Sequence, residues 1–163
     1  MNLILCGMMG CGKTTIGRRI EELTGCLRLD TDELIEQTHG KISDIFQTHG
    51  EGYFRDLETE TLQSLLGKEE IILSTGGGIV LREQNVALLK KIGKVVFLRA
   101  EKQTLFERLQ ADTTRPLLQT GALSERLDTL LEERTALYEN AAHVIIDVDN
   151  KSVDEIAKEI LEN

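Results

Sequence analysis

The chain has 163 residues, 40% of them apolar, which suits one domain with a core of ordinary size. A net charge of -9 excludes a protein whose main partner is a nucleic acid backbone or an anionic membrane surface. No apolar run approaches bilayer length, and the amino terminus MNLILCG has no basic segment ahead of a long apolar stretch. A soluble, cytoplasmic protein without signal peptide or membrane span is therefore expected.

The run Leu3, Ile4, Leu5, Cys6 reads as a short strand covered on both faces. It leads into GMMGCGKT, Gly7 to Thr14, the pattern of a phosphate-cradling turn. Its glycines let the backbone approach an anion, and the helix expected from Lys13, with Ile16, Ile20 and Leu23 at helical spacing, turns its amino end toward the same point. Lys13 would reach the β and γ phosphates of a nucleotide, and the Thr14 hydroxyl would take a Mg²⁺ position. Cys6, Cys11 and Cys26 show no CxxC spacing and have no histidine pair nearby, so neither a zinc site nor a disulfide framework is expected. Cys11 reads as a small filler of the loop, with a reactive thiol as the alternative. His39, His49 and His143 have no obvious partner.

Gly25 ends the first helix, and Leu27 to Asp30 reads as a second strand. Asp30 and Asp32 fit two descriptions equally: carboxylates facing the phosphate loop from an extended segment with Thr31 pointing away, or Asp30 as a helix cap with Glu33 completing a capping box. From Glu33 to about Leu66 the pattern is helical but broken at Gly40 and again at Gly50 and Gly52, with a longer helix from about Tyr53. This exceeds a simple crossover and predicts an insertion over the sheet edge that walls a second pocket. Arg55 and Glu58, one turn apart, read by themselves as an exposed intrahelical ion pair.

Ile71 to Leu73 gives a third strand, followed by Ser74, Thr75, Gly76, Gly77 and Gly78. Three glycines at a strand's carboxyl end either present backbone N–H groups to a ligand or form a flexible turn, and a parallel sheet favours the first. A surface helix from Arg82 to Lys91 crosses to a fourth strand, Val95 to Leu98. A helix from Glu101 to Gln110 carries Leu105, Phe106 and Leu109 inward, with Arg108 beside them. Ala111 to Ala122 is polar, holds the only proline, Pro116, and reads as a flap with Arg115 held out of helical geometry. Arg115 is either a solvated loop arginine or the arginine of a phosphoryl-transfer lid. In the last long helix Arg134 falls on the apolar face of Leu123, Leu127, Leu130, Leu131, Leu137 and Tyr138, where it must be paired, meet an anion or snorkel outward. Val144 to Ile146 is a fifth strand, and Ile156, Ile160 and Leu161 face a closing helix. Strands and helices alternate throughout, so the fold class is α/β with a parallel five-stranded sheet. A monomer is expected, because no heptad run or long exposed apolar stripe appears.

GMMGCGKT, the DTD of Asp30 to Asp32, FRDLE around Arg55, STGGG, TRPLL around Arg115 and ERTALY around Arg134 occur in this order in shikimate kinases, which the chain resembles over nearly its whole length. The resemblance implies the three-layer P-loop fold of the nucleoside monophosphate kinases, with strand order 2-3-1-4-5. It also implies a single domain over 1–163, a substrate-binding insertion at about 31–62 and a lid at about 111–123. It implies transfer of the γ phosphoryl group of ATP, with Mg²⁺, to the 3-hydroxyl of shikimate on the route to the aromatic amino acids. Gly10, Cys11, Gly12, Lys13, Thr14 and Thr15 would wrap the phosphates. Thr14 and, through water, Asp30 would hold Mg²⁺, while Asp32 would contact the attacking hydroxyl. Arg55 and Arg134 would clamp the acceptor carboxylate, with the backbone of Gly76, Gly77 and Gly78 beside it. Arg115 would close on the transferring phosphate, and Arg108 would stack on adenine. One departure is visible: many relatives place a proline against adenine in the loop after the fifth strand, and Asp149 to Ser152 has none. The competing functions are a gluconate-kinase-like enzyme and a nucleotide-binding regulator without turnover.

Overall fold

A computed structural model describes residues 1–111 and 120–163. Five short strands, β1 (Leu3–Cys6), β2 (Leu27–Asp30), β3 (Ile71–Ser74), β4 (Lys94–Arg99) and β5 (Val144–Asp147), form one sheet in the order β2-β3-β1-β4-β5. Every pairing is parallel, with Ile4 opposite Leu73 on one side and Val95 on the other. β1, β3 and the centre of β4 are buried, which their unbroken apolar runs require. Order reverses on either side of β1, so a crevice opens beyond its carboxyl end, where ligands bind in open parallel sheets.

The crossover after β1 is α1 (Lys13–Thr24), which packs Ile16 and Ile20 into the core and leaves Leu23 exposed. After β2 come α2 (Thr31–His39), α3 (Ile42–His49) and α4 (Glu51–Leu65), the expected insertion. It has a small core of its own, Ile35, Ile45, Phe54 and Leu57, apart from the main one. Gly50 breaks the chain as expected, but Gly52 does not: α4 starts at Glu51 and carries Gly52 in its first turn, where a glycine costs little. A 3-10 turn (Ile79–Leu81) and α5 (Glu83–Ile92) follow β3. α5 is less superficial than expected, because Asn85, Leu88, Leu89 and Ile92 are buried. α6 (Lys102–Ala111), α7 (Thr120–Ala141) and α8 (Val153–Glu162) complete the chain, the last with a capping box between Ser152 and Glu155. The lid expectation falls mostly on 112–119, so Arg115 and Pro116 lie outside the described residues, and α7 already begins at Thr120. No described helix is long and apolar enough to cross a membrane.

Candidate active site

The phosphate loop takes its shape from backbone conformations that only glycine adopts freely. Gly7, Gly10 and Gly12 all have positive φ, and a Cβ on Gly7 would stand 2.7 Å from the Leu98 carbonyl oxygen. Lys13 Nζ donates to the carbonyls of Gly7 at 2.6 Å and Met8 at 3.2 Å, holding the ammonium over its own loop. Cys11 is buried, its thiol 3.8 Å from that ammonium and its N–H bonded to Met8, so it fills and closes the loop. Cys6 is equally enclosed, and burial pushes its thiol up to about 12. Outside the site, His143 has a partner after all: its Nδ1 accepts the N–H of Val95.

Gly10, Gly12, Lys13, Thr14 and Thr15 line a cleft of about 560 Å³ together with Asp30, Asp32, Thr75, Gly76, Gly77 and Arg108. Arg108 Nη1 donates to the Gly10 carbonyl at 3.2 Å, and Lys151, Val153 and Ile156 also line the cleft. A second cleft of about 520 Å³ lies against β4, β5 and α7, but it contains neither Lys13 nor the glycines of the β3 turn, and Arg99 and Asp147 pair within it.

Each description of Asp30 holds in part: it caps α2 and lines the cleft, but Glu33 does not return the bond that would complete a capping box. Asp30 Oδ1 accepts the N–H groups of Asp32 and Glu33, capping α2, while the residue stays on the cleft wall. Asp32 reaches the cleft from the first turn of α2 rather than from an extended strand, and Thr31 turns inward to accept the Gly76 N–H at 3.0 Å. Burial, and after it the negative charge of Asp30, raises the Asp32 carboxyl above the usual aspartate range, with Lys13 opposing. Its Oδ1 is buried without a hydrogen-bond partner.

The glycine turn after β3 is tightly held rather than flexible. Thr75 bonds through both its N–H and its hydroxyl to the Leu5 carbonyl. Because Gly76 gives its N–H to Thr31, it contributes space rather than a donor: a Cβ there would meet Asp32 Oδ1 at 2.7 Å and Glu58 Oε2 at 3.2 Å. A Cβ on Gly77 would meet Arg134 Nη1 at 3.2 Å, and one on Gly78 would meet both terminal nitrogens of Arg55 at 2.5 Å. Three bare backbone positions thus let two carboxylates and two guanidinium groups close on one turn.

The Arg55–Glu58 pair is not the exposed one expected. Glu58 is fully buried and takes Arg55 Nη1 at 2.7 Å, while Glu51 accepts from Arg55 Nη2 at 3.2 Å. Burial raises the Glu58 carboxyl, with Arg55 opposing, and its Oε2 has no hydrogen-bond partner. Arg134 forms no ion pair among the described residues, and its Nε is buried without a partner. Among the described residues the two arginines are therefore unequal: Arg55 is paired with two carboxylates, whereas Arg134 forms no ion pair.

The family model for shikimate kinase matches residues 9–163. The chain belongs to the shikimate kinase family. It is 45% identical to the shikimate kinase of Dictyoglomus turgidum over 99% of this chain and 95% of that one, and 42% identical to that of Thermodesulfovibrio yellowstonii over 98% and 92%. The structure of the Acinetobacter baumannii shikimate kinase in complex with shikimate superposes with a TM-score of 0.89 at 38% identity, covering 99% of this chain and 90% of that one. Neither the gluconate-kinase-like reading nor the regulator gains support from these matches.

Sequence reasoning missed Thr31, Glu58 and Tyr138 in this shikimate kinase site. For Glu58 the signal was present. It sits on the helical arc of Phe54, Leu57, Leu62 and Leu65, the same anomaly that exposed Arg134. The crowding at Gly78 yields a direct prediction. Gly78→Ala fits its backbone, since φ is -95°, but forces the Arg55 guanidinium aside. Thermal stability should fall, because the guanidinium that moves is the partner of the buried Glu58 carboxylate, and the KM for the acidic acceptor should rise about five-fold, as for loss of one charge-assisted hydrogen bond. Steady-state kinetics paired with a melting curve checks both.

Proposed function

We propose that this chain transfers the γ phosphoryl group of ATP to the 3-hydroxyl of shikimate, giving ADP and shikimate 3-phosphate on the route to the aromatic amino acids. The observation that carries the reading is the convergence of Asp32, Arg55 and Arg134 on the Gly76–Gly78 turn, whose edge opens into the cleft of Lys13. A cyclic acid with a free hydroxyl fits such a set: the carboxylate meets the cations and the hydroxyl meets the carboxylate of Asp32.

In this reading Gly10 to Thr15 wrap the triphosphate and Lys13 moves from its loop carbonyls to the β and γ phosphates. Asp32 orients the attacking hydroxyl and takes its proton late, and Arg134 with Arg55 fixes the acceptor carboxylate. The backbone of Gly77 and Gly78 completes the acceptor wall, and Arg115, outside the described residues, closes on the transferred group. Phosphoryl transfer through a loose transition state leaves little covalent work, so rate comes from positioning and charge. Thr14 and Asp30 would hold Mg²⁺. A hydroxyl and a carboxylate on one wall are the oxygen donors that a small hard cation takes, and Oδ2 of Asp30 remains for a metal-bound water. When bound with ATP, Mg²⁺ would offset charge on the phosphates. A cytoplasmic monomer suits these soluble substrates.

The base end differs from the proline-bearing relatives. Arg108 and Lys151 line the cleft as donors, Lys151 pairing with Glu159 at 2.8 Å, and the nearby Asp149 carboxylate is spent on Glu101 and Thr104. Donors suit the O6 and N7 acceptors of guanine at least as well as the edge of adenine. GTP should therefore replace ATP with a kcat/KM within about ten-fold. The test of the function is a coupled ADP-release assay across hydroxy acids. Turnover is expected with shikimate and not with gluconate, and robust turnover with gluconate alone would overturn the assignment.

A further inference from the structure

Tyr138 lies one helical turn after Arg134 on α7 and is wholly buried, yet its hydroxyl is placed with care. The ring stacks on Phe97 of β4 at a centroid distance of 5.0 Å. The hydroxyl donates to the Gly77 carbonyl and stands 3.9 Å from Met8 Sδ in the phosphate loop. Burial raises the phenol well above its usual range, which keeps the proton in place as a donor. Phenylalanine would fill the same space without burying a polar atom, so the hydroxyl needs a reason of its own.

Gly77 supplies it. A glycine peptide has the widest rotational freedom in the chain, and this one lies between Arg134 and the Tyr138 hydroxyl, with no side chain to fix its plane. Because a trans peptide is planar, holding the Gly77 carbonyl also fixes the direction of the Gly78 N–H. We propose that Tyr138 is a positioning residue whose hydroxyl pins the Gly77–Gly78 peptide against Arg134 and keeps the acceptor half of the site in register with the phosphate loop. It touches no substrate and acts through Gly77. This rests on the acceptor reading of the glycine turn given above.

Tyr138→Phe keeps the ring and removes only the donor. The KM for shikimate and its calorimetric Kd should both rise about ten-fold, while the KM for ATP and kcat change by no more than about two-fold. Phe97→Leu loosens the ring but leaves the hydroxyl, and should lower Tm while moving the shikimate KM by less than about three-fold. If Tyr138→Phe leaves the shikimate KM and Kd at wild-type values, or if both substrates weaken together in both variants, Tyr138 is only a packing residue and the inference fails. Failure of the wild-type protein to bind shikimate in the calorimeter would instead overturn the function beneath it, so the two outcomes are distinguishable.

Discussion

Asp32→Asn should lower kcat with shikimate by about 10²- to 10⁴-fold, the range for loss of a positioned proton acceptor, and leave the KM for ATP within about two-fold. Asparagine has the same shape and still fits against Gly76, so a loss of this size reports the charge rather than a cavity. An unperturbed aspartate, with a pKa of about 3.9, would be a weak base toward an alcohol. The structure alters that premise, because burial and the neighbouring Asp30 lift the Asp32 carboxyl, giving it more affinity for the proton it receives. Its buried, unbonded Oδ1 is then an open acceptor beside the glycine turn. The same arrangement disfavours the charged side chain in the folded protein. The Asn variant should therefore melt at or above the wild-type temperature while losing turnover, the opposition expected where function retains a destabilising group. A variant with near-normal turnover would remove Asp32 from the mechanism.

The elements that sequence made legible are those where one physical rule acts alone. β1, β3 and β4 are apolar runs flanked by turn residues, and all three emerged within one residue of expectation. Gly25, Gly40 and Gly50 stop helices in conformations with positive φ. Gly52 was misread because glycine identity alone does not reveal φ, and here the chain simply continues as helix.

Within the site, residues recognisable by a local pattern were found: the loop from Gly7 to Thr14, the Asp30 to Asp32 pair and Arg134 on its apolar face. What stayed hidden required partners distant in sequence. Arg55 and Glu58 looked like a surface pair because helical spacing does not say which way a turn faces, and in the fold Gly76 and Gly78 after β3 close against it. Thr31 was expected to point away, whereas its hydroxyl accepts the N–H of Gly76, forty-five residues on. Three consecutive glycines suggested donors, whereas their larger effect is the room they leave for other side chains.

That inequality between the two arginines sets the second large effect. Arg134→Lys should raise the KM for shikimate about ten- to one-hundred-fold, with the KM for ATP little changed. Arg55→Lys should do less. Arg55 already answers to Glu58 at 2.7 Å and Glu51 at 3.2 Å, so an incoming carboxylate competes for a cation whose charge is largely met. Arg134 has no ion-pair partner among the described residues, and its charge acts on Glu58 and Tyr138 nearby. An acceptor carboxylate would complete it. Lysine keeps the positive charge but presents a point in place of a planar fork, so the bidentate part of the attraction is lost while the field remains. The comparison that decides is the ratio of the two variants' acceptor KM values, measured at one ionic strength. A ratio near one would mean that both arginines share the anion equally, and an unchanged acceptor KM in Arg134→Lys would take that residue out of the clamp.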